Sequence, residues 1–94
     1  MPIRSILVVD DNLDTLTVMR EVLESQGYVV AVADDGKKAI RLLIRDSADL
    51  VITDMLMPHG DGFQLITALH RDFPEIPVIA MSGGGHLTAD STFG

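Results

Sequence analysis

Four short runs of branched apolar residues punctuate the chain: ILVV (6–9), YVVAVA (28–33), LVIT (50–53) and VIAM (78–81), starting 22, 22 and 28 residues apart. Each is too short for a buried helix and lacks an alternating polar face, so each reads as a strand covered on both sides. The intervals leave room for a helix between successive strands, the connection that parallel neighbours require. Between the first two runs, Leu16, Met19, Val22 and Leu23 share one helical face, and Gly27 sits where a helix commonly stops. Asp35 is placed to cap a second helix with Ala39, Ile40, Leu43 and Ile44 as its buried stripe. A third helix follows Asp61, with Phe63, Ile66, Leu69 and Phe73 toward the core, and is closed by Pro74 and Pro77. Four strands alternating with three helices, joined by right-handed crossovers, make the class α/β with a doubly wound parallel sheet.

The length of 94 residues supports one core, and a single domain over 1–94 is expected, with 86–94 as a loop or frayed tail. The 14 Asp and Glu outnumber the 7 Lys and Arg, a net charge of −7, which argues against direct binding to nucleic acid or an anionic membrane. There is no cysteine, hence no thiol nucleophile or thiolate metal site, and no apolar run approaches a membrane span. The start MPIRS has no signal-peptide stretch, so the expected location is cytoplasmic.

In a parallel α/β sheet, functional groups gather beyond the carboxyl ends of the strands. Here the first run ends on Asp10 and Asp11, the third on Asp54 and the fourth on Ser82 and Gly83. If strands one, three and four are neighbours, three carboxylates and a hydroxyl face one pocket. Two carboxylates about 4 Å apart repel by roughly 4 kcal/mol at an effective dielectric of about 20, so a divalent cation is their natural complement. An all-oxygen donor set suits Mg²⁺ or Mn²⁺ rather than zinc.

Singly, these residues have plainer readings. An aspartate pair after a strand is equally a solvated turn or a helix cap, and Ser82 alone says little; Asp54 says more, because a charge ending a buried strand needs a partner. Joint placement at three strand ends favours a site. His59, His70 and His86 read as surface residues, Met55, Met57 and Met81 as packing, and Lys37 and Lys38 as a solvated helix start.

Taken in order over residues 3 to about 85, ILVVDDN, DDGKKAI, LVITDMLMPHGDG and PEIPVIAMSGG resemble the receiver domain of two-component response regulators. The resemblance implies a flavodoxin-like sheet, here in the order 2-1-3-4, and phosphoryl transfer from a histidine kinase or phosphotransfer protein to an aspartate. It implies Asp54 as phosphoryl acceptor, Asp10, Asp11, Asp54 and the backbone carbonyl of Leu56 as Mg²⁺ ligands, with Asp10 acting through water, and Ser82 as the hydroxyl that bonds the phosphoryl group. Gly83 would leave room for phosphodonors, and Pro58, Gly60 and Gly62 would shape the acceptor loop. Such a domain is a switch, not a turnover enzyme.

The sequence departs from that family at its end. The family's fifth strand with its lysine and its last helix need about 25 further residues. Only 12 follow Ser82, and no lysine follows Lys38. A C-terminally truncated receiver is therefore expected, with apolar surface near the first helix and an open edge at VIAM that a homodimer or partner would cover. The rival reading is a receiver-like interaction scaffold or dimerisation module without phosphotransfer. An aspartyl-phosphate hydrolase is disfavoured because Leu56 stands where its second carboxylate would be. A flavin site is disfavoured because carboxylates occupy the place of a phosphate cradle.

Overall fold

In the computed structural model, which describes residues 2–57 and 61–81, all four apolar runs are strands: β1 (Ser5–Val9), β2 (Val29–Ala33), β3 (Leu50–Asp54) and β4 (Val78–Met81). The helices α1 (Leu13–Ser25), α2 (Gly36–Asp46) and α3 (Asp61–Asp72) alternate with them. The sheet order is β2-β1-β3-β4, every pair parallel. This is the doubly wound, flavodoxin-like arrangement expected from the sequence. None of the described helices is long and apolar enough to cross a membrane.

Successive strand residues point to opposite faces and so divide the core in two. Leu7, Val9 and Val51 face α2 and α3, meeting Leu43, Leu65 and Leu69. Ile6, Val8, Leu50 and Ile52 face α1, meeting Leu16 and the partly buried Met19 and Leu23. Burial of each such Leu, Ile or Val side chain stabilises the fold by about 1.5–3 kcal/mol. Both central strands are closed to solvent, β3 along its whole length.

The helix ends follow the local chemistry. Asp35 caps α2, its Oδ1 accepting from Lys38 N at 2.8 Å. Asn12 caps α1, accepting from Thr15 N at 3.1 Å. Gly27, just past α1, has φ +94°, the left-handed conformation that a side chain would strain.

The helix faces correct the sequence expectation in three places. Val22, Ile44 and Phe63 were expected inside and are 56%, 73% and 66% exposed. Leu42 and Leu65 pack inward instead. An apolar stripe sets a helix's spacing, but its rotation is fixed by the strand side chains it meets. On the α1 side, α1 alone among the described elements covers the sheet, and Ile79 of β4 on that side is 51% exposed. Met57 is buried and Met81 is partly buried against the α1-side cluster, whereas Met55, expected to pack, is exposed; Lys37, Lys38 and His70 are exposed as expected. His59, His86 and the 86–94 tail lie outside the described residues.

Candidate functional site

Parallel pairing brings the strand-ending aspartates together. Val9 stands opposite Thr53 in the β1–β3 register, so the next residues, Asp10 and Asp54, are side by side at the carboxyl end of the sheet. Each is only 5% exposed. Each is also held by its own turn: Asn12 N donates to Asp10 Oδ1, and Leu56 N donates to Asp54 Oδ1, both at 2.9 Å. The Asp54 contact leaves Oδ2 without a protein donor among the described residues.

Asp11, exposed at the rim, completes the cluster, in which one carboxylate oxygen from each of Asp10, Asp11 and Asp54 lies within 4.8 Å of the others. The three line a pocket of about 430 Å³ together with Asn12, Thr15 and Leu56. Burial raises the Asp10 carboxyl above its ordinary value of 3.8; the Asn12 amide opposes this, and the charges of Asp54 and Asp11 reinforce it. Buried like charges at this separation are unfavourable unless a cation is shared. Their donor set, carboxylate and carbonyl oxygen with no sulfur or imidazole, fits Mg²⁺ or Mn²⁺.

Of the residues singled out from sequence, Asp10, Asp11, Asp54 and Leu56 converge here. Ser82, Gly83, Pro58 and Gly60 lie outside the described residues; β4 does run beside Asp54, with Met81 opposite it and Met55 N donating to Met81 O at 2.8 Å. Gly62 is in place by necessity. A Cβ there would collide with the Asp54 carbonyl oxygen and lie 2.6 Å from that of Met55, so α3 can approach the end of β3 only with glycine at this position. Sequence reasoning passed over Asn12 and Thr15. The signal was present, since an asparagine directly before the periodic LDTLTVM is a helix-cap pattern.

Comparison with known proteins converges on one family. The model of the response regulator receiver domain matches residues 6–91. An uncharacterised 14.6 kDa protein of Leptolyngbya boryana is 42% identical over 80 residues, covering 82% of this chain and 60% of its own length. The transcriptional regulatory protein CpxR of Escherichia coli (strain K12) is 40% identical over 80 residues, covering 85% of this chain and 34% of its own length. The chain thus spans about 60% or less of these relatives. The solved signal receiver domain of an HD domain-containing protein from Pseudomonas fluorescens Pf-5 superposes with a TM-score of 0.81 at 29% identity, over 92% of this chain and 69% of that one. The parallel 2-1-3-4 sheet and the family match over most of the chain lead to one conclusion: this chain belongs to the response regulator receiver domain family of two-component signalling.

Proposed function

We propose that the domain accepts a phosphoryl group on Asp54 from a phosphohistidine of a sensor kinase or phosphotransfer protein, as a cytoplasmic switch rather than a turnover enzyme. The observation that carries this reading is the meeting of three carboxylates within 4.8 Å at the ends of β1 and β3, with Asp54 buried and its Oδ2 unengaged by any donor among the described residues. In the transfer, an Asp54 oxygen forms a bond to phosphorus as the bond between phosphorus and the donor imidazole nitrogen breaks. The electron pair leaves with the imidazole, and the product is an acylphosphate. The hydrogen bond from Leu56 N fixes the carboxylate's rotation, and the packed β3 fixes its position, so little reorganisation precedes attack. Asp10, Asp11, Asp54 and the Leu56 carbonyl are the groups to hold Mg²⁺. That ion supplies neutralisation of the charge gathered between the cluster and the phosphoryl oxygens. Ser82 is the hydroxyl assigned to the transferred group.

Intact-mass spectrometry after incubation with acetyl phosphate and Mg²⁺ tests this reading. One added phosphate that is lost in Asp54→Asn is expected; a folded wild-type protein that gains none overturns it. A second reading, an interaction scaffold or dimerisation module over 1–94, draws on a different observation. Val18, Val22 and Ile79 are each more than half exposed on the side of the sheet that α1 covers. Assembly that is unchanged in Asp54→Asn and unaffected by Mg²⁺ would favour it.

A further inference from the structure

On the other side of the sheet, α2 and α3 pack against each other and leave a cleft of about 690 Å³ between their outer faces. Its lining is divided by polarity. Ile40, Leu65 and Ala68 are partly or fully buried at its base, while Lys37, Arg41 and Gln64 are exposed along it. Asp35 closes one end, but its Oδ1 is engaged on Lys38 N as the helix cap.

The charges are unusual for this chain. Four of its seven Lys and Arg residues, Lys37, Lys38, Arg41 and Arg45, fall within α2. Lys38 pairs with Asp34 at 2.7 Å and Arg45 with Asp46 at 2.8 Å. Lys37 and Arg41, one helical turn apart beside the apolar base, have no ion pair among the described residues. A cationic, apolar-based cleft in a molecule of net charge −7 fits an acidic amphipathic helix.

The chain itself carries such a helix, on the opposite side of its sheet. The outer face of α1 presents Val18 and Val22, 58% and 56% exposed, with exposed Asp14 and Glu21 beside them. The third acid of α1, Glu24, pairs with Arg20 at 3.4 Å. We propose that α1 of one copy docks in the α2–α3 cleft of a second, setting Asp14 and Glu21 against Lys37 and Arg41 and burying Val18 and Val22 on Ile40, Leu65 and Ala68.

Because the two surfaces differ and lie on opposite sides of one sheet, the contact is heterologous. In a docked pair one copy keeps its cleft free and the other its helix, so assembly continues past the dimer unless it closes into a ring. The inference rests on the self-association half of the second reading above and is independent of phosphoryl acceptance at Asp54.

Sedimentation velocity from micromolar to several hundred micromolar, at low and high salt, tests it. The wild type is expected to gain mass with concentration, and salt is expected to weaken this. The doubly substituted Lys37→Glu/Arg41→Glu protein and the doubly substituted Asp14→Lys/Glu21→Lys protein are each expected to associate about tenfold more weakly alone. An equimolar mixture of the two should associate again, since each cleft then meets a helix of opposite sign. Restoration in the mixture also shows that both variants are folded. A wild type that stays monomeric throughout overturns the inference together with the dimerisation reading. Association that ignores both charge reversals overturns the inference alone.

Discussion

Asp10 and Asp54 end adjacent parallel strands and are held in the same way, each carboxylate accepting the backbone amide two residues ahead at 2.9 Å. The repetition has an energetic sense. The turn amide satisfies one oxygen of each buried carboxylate, so the cluster tolerates its own repulsion without losing the geometry that a cation needs.

Replacing Asp10 by Asn should therefore stabilise the metal-free domain while weakening its response to metal. Removing one buried charge from the trio is expected to contribute on the order of 1 kcal/mol, about 5 °C in Tm for a domain of this size. Differential scanning calorimetry in chelator and in millimolar Mg²⁺ reads both effects. The wild type should gain Tm with Mg²⁺ by mass action, and Asp10→Asn should start higher and gain less. Equal Mg²⁺ responses in the two proteins would remove Asp10 from the metal site.

Gly62 and Gly27 separate two reasons for glycine. At Gly62 a Cβ meets the backbone of Asp54 and Met55, atoms that move only if the end of β3 moves. At Gly27 nothing lies within 4 Å, and the difficulty is its φ of +94° alone. Gly62→Ala is expected to cost about 1–3 kcal/mol and to slow phosphoryl uptake from acetyl phosphate severalfold. Gly27→Ala is expected to cost about 1 kcal/mol with uptake unchanged. Denaturant melts and time courses of intact mass distinguish the two. Unchanged uptake in folded Gly62→Ala would mean that the loop accommodates the methyl group.

The strands, their order and the three converging aspartates were legible in the sequence because apolar runs and strand-end charges are local patterns that a parallel sheet brings together by rule. Helix rotation was less so. Both Phe63 and Leu65 are apolar, but two residues apart they lie on nearly opposite faces of α3, and Leu65 is 3% exposed against 66% for Phe63. The sequence groups Phe63 with Ile66, Leu69 and Phe73 on one face; the packing of α3 in the cluster that holds Val9 and Val51 puts Leu65 inside. The consequence is measurable. Leu65→Ala is expected to cost about 2–5 kcal/mol, and Phe63→Ser less than about 0.5 kcal/mol. A large loss in Phe63→Ser would show that its ring is covered in solution.

Far from the site, Asp49 ties the start of β1 to that of β3. Its Oδ2 accepts from Arg4 N at 2.9 Å, Ser5 N at 3.0 Å and Ser5 Oγ at 3.3 Å. The two backbone bonds hold its carboxyl below the ordinary value of 3.8. A carboxylate with a lowered folded-state value contributes stability that is complete above 3.8 and is lost as pH falls through the lowered value, because the unfolded chain takes up the proton first. Asp49→Ala should accordingly melt below the wild type at neutral pH, and the gap should close as pH falls below 3.8 and through the lowered value, where the wild-type carboxylate protonates. Parallel thermal melts of the two proteins across that range measure the gap directly. A gap that stays constant into acid would mean that Asp49 acts through packing or turn geometry, and that its charge contributes nothing to holding β1 against β3.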